Sequence, residues 1–194
     1  MTVSEWIEQY HTKSDGRFET FKKAFELLND EFDGYNIVET GCVRLPDDWG
    51  AGMSTYLFGE YAKLFTAHVY TVDISKPNMD ECRKITKDFK EYITYFVDDS
   101  LTFLRTFDKE IDLLYLDSMD CPLVDDPNYP ELLQSQTHQY NEARLALPKM
   151  SLFGIILLDD NGFANGGKTA MTKVYLKEQG WKEILGGQQS LWTK

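Results

Sequence analysis

Positive charge is scarce in this chain. Among its 194 residues, 20 Lys and Arg face 32 Asp and Glu, a formal net charge of −12. Binding along a nucleic-acid backbone needs clustered Lys and Arg, and no such cluster occurs. A nucleic-acid partner and an anionic membrane surface are therefore both disfavoured. The acidity also serves solubility alone. Cysteine is equally sparse: Cys42, Cys82 and Cys121 are odd in number and form no CxxC pair. That argues against a disulfide framework or a zinc site and for a reducing, cytoplasmic setting. No stretch approaches the ~20 apolar residues of a membrane span, and the first residues lack the apolar core of a secretory signal. Low-complexity linkers and fixed-period repeats are also missing, so residues 1–194 read as one domain. The dinucleotide fingerprint GxGxxG is absent, which counts against a nicotinamide enzyme.

What is present suffices for one sizeable core: 42% of the residues are hydrophobic and 14% aromatic. Ser14-Asp15 can cap a helix over about Arg17–Asn29, whose Phe18, Phe21, Ala24, Phe25 and Leu28 recur at helical spacing. Beyond it, the short apolar runs 36–40, 68–74, 92–97, 111–117 and 153–159 read as strands. They alternate with helices over about 55–64, 79–89, 101–107, 131–147 and 168–179. Such alternation predicts βαβ units. The fold class is α/β, a Rossmann-like doubly wound and mostly parallel seven-stranded sheet with helices on both faces. The two short strand-like pieces around Gly186-Gly187 predict a C-terminal antiparallel hairpin.

In such sheets ligands bind beyond the carboxyl ends of the strands. The first strand closes in Glu39, Thr40 and Gly41, and the next helix starts only after GAGMST at 50–55. Glycine there permits close backbone approach to a ligand, or simply a tight strand-to-helix turn. Asp73 ends the second strand, where a carboxylate can accept ribose hydroxyls or cap a helix. Asp98, Asp99 and Ser100 follow the third strand, placed to meet an adenine edge or to cap the next helix.

Taken together, ETGC…GAGMST, VDIS, VDDSLTFL, YLDS and ILLDDN, in that order and with a final hairpin, resemble a class I S-adenosylmethionine-dependent methyltransferase from about Asn36 to Lys194. The resemblance implies that Glu39, Thr40, Gly41, Asp73, Asp99 and Ser100 bind the cofactor. The family's compact ExGxGxG loop is stretched here by VRLPDDW at 43–49, so Gly41 is the safest of its glycines, while Gly50 and Gly52 shape the start of the helix.

Asp117 ends the fourth strand, and Asp160 and Asn161 end the fifth. Neighbouring strands would bring these oxygens to one point, and hard oxygen donors without Cys or His suit Mg²⁺ or Ca²⁺; a plain Asp-Asn-Gly turn is the competing reading. The pattern is similar to the metal-dependent O-methyltransferases of the catechol, caffeoyl-CoA and macrocin types. That resemblance implies Mg²⁺ on Asp117, Asp160 and Asn161, with Asp159 as alternate ligand or supporting partner. The expected reaction is methyl transfer to a hydroxyl of a small molecule: a sugar, polyol or phenol.

Three residues beyond Asp117, where catechol-type enzymes place a lysine, stands Asp120. His138 is the candidate base, beside Asp117 as a catalytic residue, with Lys168 a weaker candidate. Segment 121–137 is expected to form a lid or substrate loop, Trp49 and Tyr129 could pack on a flat acceptor, and the N-terminal helices of residues 1–33 could cover the site. A metal-free methyltransferase with Asp117, Asp120 or His138 as base, a non-catalytic cofactor-binding protein and another Rossmann-like enzyme stay open, as does a homo-oligomer.

Overall fold

A computed structural model describes residues 1–14, 16–28, 34–51 and 53–194. The expected cap at Asp15, helix end at Asn29 and loop glycine Gly52 lie outside the described residues.

The chain opens with a short helix α1 (Val3–Ile7), capped by Thr2, whose side chain accepts from the Glu5 N–H. α2 follows over Phe18–Leu28. Then come β1 (Tyr35–Thr40), α3 (Ser54–Phe65), β2 (Ala67–Asp73), α4 (Lys76–Ile85), β3 (Ile93–Val97), α5 (Ser100–Thr106), β4 (Ile111–Leu116), α6 (Pro130–Ala146), β5 (Met150–Leu158), α7 (Ala170–Glu178), β6 (Lys182–Gly186) and β7 (Ser190–Thr193). α4 begins three residues earlier than expected, at Lys76 behind the Ser75 cap, and ends four earlier. It stops at Ile85, where the Thr86 hydroxyl turns back to the Cys82 carbonyl, and a six-residue 3₁₀ stretch, Lys87–Tyr92, replaces the remaining turn.

The seven strands lie in the order β3-β2-β1-β4-β5-β7-β6. β1 to β5 are mutually parallel, while β7 runs antiparallel between β5 and β6. Strand residues alternate between two cores, as a pleated sheet covered on both faces requires. Ile37, Leu113, Tyr115, Ile155 and Leu157 meet α1, α2 and α3 through Trp6, Phe21, Phe25, Phe58 and Tyr61. Val38, Leu114, Leu116, Ile156 and Leu158 meet α5, α6 and α7 through Phe103, Leu104, Ala143, Ala146 and Leu176. Each large apolar side chain so buried contributes roughly 1.5–3 kcal/mol. Among the described residues no helix is long and apolar enough to cross a membrane.

The crossover direction reverses between β1 and β4, which makes their carboxyl ends the switch point of the sheet. Gly41 stands at that point with φ +83°, and a Cβ there would lie 2.4 Å from the Asp117 carbonyl oxygen. Only glycine lets the two strand ends come so close.

Candidate active site

A cleft of about 210 Å³ opens over the switch point, lined by Gly41, Cys42, Asp73, Ile74, Asp117 and Ser118 among others. A larger cavity, about 650 Å³, lies at the opposite edge of the sheet, beside the starts of β1 and β5. It is away from every strand end that carries the acidic motifs.

Of the residues expected to bind a cofactor, Gly41 and Asp73 line the cleft. Asp73 Oδ1 accepts from the Ser75 N–H at 2.7 Å, and Oδ2 meets the weak Cys42 thiol donor at 3.5 Å. Glu39 and Thr40 lie beneath the cleft floor, both fully buried. Glu39 accepts from Ser54 at 2.5 Å, Thr55 at 2.7 Å and Thr71 at 2.7 Å. Thr55 in turn accepts from the Val43 N–H at 2.9 Å, so the carboxylate fastens the stretched 41–55 loop from below. Burial pushes the Glu39 pKa up to about 7 against the pull of those hydroxyls. Asp99 caps α5, its Oδ1 accepting from the Thr102 N–H at 2.9 Å. Ser100 is buried against His138, with its Oγ 2.9 Å from Nε2. Neither side chain lines the cleft.

His138, expected as a base, is set back on α6. Its Nε2 also lies 3.4 Å from Glu142 Oε1, and Glu142 accepts from the Ser118 hydroxyl at 2.7 Å. Glu142 raises the histidine pKa, and the ring's Nε2 is engaged by Ser100 and Glu142 rather than directed into the cleft. Asp120 is exposed and pairs with Arg44 at 3.1 Å on the rim. Trp49 is stacked on Tyr10, ring centroids 5.2 Å apart, so it serves packing first.

The expected metal ligands are only partly brought together. Asp117 and Asp160 converge, but on a side chain: Lys168 Nζ lies 2.5 Å from Asp117 Oδ1 and 3.1 Å from Asp160 Oδ2. Asp160 reaches it because its backbone takes the left-handed conformation, φ +57°, which turns the chain sharply at the end of β5. Asn161 points elsewhere. Its Oδ1 accepts from Thr169 and Lys173 at 3.0 and 2.9 Å, and its Nδ2 donates to the Gly187 carbonyl. Asp159 is buried and held by Arg17, whose Nε is 3.1 and 3.2 Å from its two oxygens, and by the Tyr115 hydroxyl at 2.8 Å. Among the described residues no group of three His, Cys, Asp or Glu is arranged to hold a metal ion. A divalent ion does not fit this donor set as it stands, because an ammonium fills the point of convergence and the amide is turned away.

The charges divide accordingly. Burial and the neighbouring carboxylates Asp159 and Asp160 push the Asp117 pKa well up, although Lys168 pulls it down. Lys168 is held protonated, the attraction of Asp117 and Asp160 outweighing its burial. Burial is likewise outweighed at Asp159, where Arg17 keeps the carboxyl below its usual range. Sequence reasoning missed Arg17 altogether and ranked Lys168 low. The run Asn165-Gly166-Gly167 before the lysine is the signal for it: all three take positive φ and turn Lys168 inward.

Among curated proteins none matches the chain. Solved structures share its fold at low identity. An S-adenosylhomocysteine-bound methyltransferase from Podospora anserina, PaMTH1, superposes with a TM-score of 0.61 at 16% identity, over 98% of this chain and 85% of that one. The O-methyltransferase NovP gives 0.59 at 14%, covering 92% and 79%. An rRNA methylase from Streptococcus thermophilus gives 0.59 at 12%, covering 90% and 96%. Residues 49–161, more than half of the chain, match a family described as a methyltransferase domain. With the doubly wound sheet and the cleft at its switch point, that match places the chain in the methyltransferase-domain family, as a class I S-adenosylmethionine-dependent methyltransferase.

Proposed function

We propose that the protein methylates a hydroxyl group of a small molecule, a sugar, polyol or phenol, with Asp117 receiving the hydroxyl proton. The observation that carries this reading is the position of Asp117. Its side chain is about one-quarter exposed on the cleft wall, while its other edge rests on the buried Lys168. A carboxylate with a raised pKa, facing a ligand cleft, is suited to take a proton from a poor nucleophile.

S-adenosylmethionine supplies a methyl group on a positively charged sulfur. The chain's residues fit that cofactor. Gly41 allows close backbone approach, and Asp73 keeps Oδ2 free of any strong donor among the described residues, available to ribose hydroxyls. Ile74, 75% exposed on the cleft wall, offers an apolar face to the adenine. Glu39 acts from beneath by fixing the loop, and Asp99 caps α5 at the turn after β3. Segment 121–137, whose residues from Pro130 on form the start of α6 and whose Leu123 is exposed, would cover the acceptor.

Structural neighbours include rRNA methylases. The cleft here is edged by Asp48, Asp73, Asp117 and Asp120 against Arg44, a rim that repels a phosphate backbone and supports a small acceptor.

The test is methyl transfer to a panel of diols, phenols and sugars beside an rRNA transcript, with wild type and Asp117→Asn. The expected result is a methyl ether on a panel member, with the rate reduced roughly 10²-fold or more in the variant while S-adenosylhomocysteine binding persists. Methyl groups on RNA or on nitrogen, or an undiminished variant, would overturn the reading.

A further inference from the structure

The carboxyl ends of β4 and β5 bring together Asp117, Asp159 and Asp160, and two cations answer them from different directions. Arg17 reaches in from the start of α2 and takes Asp159. Lys168 reaches in from the segment before α7 and takes the other two.

Lys168 is 1% exposed and among the largest fully buried side chains of the protein. Its ammonium donates to Asp117 Oδ1 and to the Met119 carbonyl at 3.1 Å, and Asp160 Oδ2 lies 3.1 Å away as the second ion-pair partner. The same three oxygens would face a small hard cation. The delivery of this side chain is specific. Gly167 packs onto the Asp160 backbone so tightly that a Cβ would lie 1.8 Å from its carbonyl oxygen. Gln136 of α6 donates to the Gly167 carbonyl at 2.9 Å and pins the turn from the other side.

We propose that Lys168 is the positioning residue of the site: its ammonium stands where a divalent ion would bridge Asp117 and Asp160, and it holds Asp117 against the cleft wall so that the reaction runs without metal. The inference rests on reading Asp117 as the proton acceptor. It extends that reading, because it names the internal cation that replaces the ion the sequence resemblance implies. Three consequences follow from the geometry. Native protein has no vacant bridge between the two carboxylates. Removing the ammonium opens one, with Asp117, Asp160 and the Met119 carbonyl as donors. A divalent ion placed there can then do the work of the lysine.

The experiment is a Mn²⁺ titration followed by the electron paramagnetic resonance of the free ion, on chelator-treated wild type, Lys168→Ala and Lys168→Ala/Asp160→Asn. Methyl transfer by the same three proteins is measured with and without Mn²⁺. Wild type is expected to leave the free-ion signal unchanged. Lys168→Ala should bind one equivalent in the sub-millimolar range and the double variant should lose it. The single variant's kcat should fall at least tenfold, with its KM for S-adenosylmethionine retained and kcat partly restored by Mn²⁺. One equivalent bound by wild type, and lost when Asp160→Asn is titrated beside those three, would overturn the proposal, and that measurement needs no lysine variant to fold. A folded Lys168→Ala that binds no Mn²⁺ would also overturn it. Failure of the methyl-transfer reading would show separately: no turnover by wild type, with the three Mn²⁺ titrations as expected.

Discussion

Arg17 and Asp159, 142 positions apart in the chain, form a side-on ion pair in which Nε lies 3.1 and 3.2 Å from the two carboxylate oxygens and Nη2 lies 3.0 Å from Oδ2. Both side chains are nearly inaccessible, at 6% and 1%. A third nitrogen, Nη1, donates to the Gly50 carbonyl at 2.7 Å, so one guanidinium joins the N-terminal segment, the loop after β1 and the end of β5. Removing one partner of a buried pair strands the other charge. Arg17→Met is therefore expected to cost about 3–5 kcal/mol in denaturant unfolding. Arg17→Met/Asp159→Leu should recover most of the loss, since the pair's own desolvation disappears with it.

Glu39 gives a pH signature. Its folded pKa of about 7 lies above the ordinary 4.5, so the native state holds the proton more tightly than the unfolded chain. Stability from this group is complete below pH 4.5 and falls as pH rises towards 7. The Gln variant lacks that slope. Relative to wild type, Glu39→Gln should gain about 3 kcal/mol between those limits, read from unfolding curves across the pH range.

Asp73 offers Oδ2 to the cleft, and the proposed use is a pair of ribose hydroxyls. Charged hydrogen bonds contribute about 1.5–3 kcal/mol each. Calorimetric titration of S-adenosylhomocysteine should find Asp73→Ala weakened by roughly two orders of magnitude or more. Unchanged affinity would remove Asp73 from the cofactor site.

His138 should behave as a structural residue. Glu142 raises its pKa, so the pair stabilises the fold below the unfolded value of 6.5 and the gain fades as pH climbs through the folded pKa. His138→Gln is expected to lower the unfolding midpoint at acid pH and to converge with wild type at alkaline pH. Methyl transfer should stay within a few-fold of native. A far larger loss of rate would restore the histidine as base.

The sheet was legible because its signals are local and periodic. Each apolar run ends in a polar cluster, and Gly41 sits where only glycine fits against Asp117. Strand ends alone, however, do not say where side chains point. Asp160 and Asn161 are consecutive, yet the positive φ of Asp160 sends one to Lys168 and the other to the β6–β7 turn. Lys168 lay hidden for a similar reason. Its approach depends on Asn165, Gly166 and Gly167 all adopting left-handed conformations, a tertiary choice that composition permits without dictating. Arg17 was invisible because its partner is 142 residues away.

The insertion of β7 between β5 and β6 carries a consequence for how the protein matures. A chain synthesised only through β4 already carries Asp117 but has no lysine to meet it, since Lys168 follows 51 positions later. The β5 end is completed later still, when the Asn161 N–H finds the Gln188 carbonyl and Thr20 finds Gln189 across nearly the whole sequence. Contacts of such separation form late, after local helices and hairpins. The half-built sheet therefore leaves Asp117 without its lysine, and the β5 end is fastened only when the last strand slots in. Assembly of the Asp117, Asp160 and Lys168 cluster thus waits on the C-terminal part of the chain.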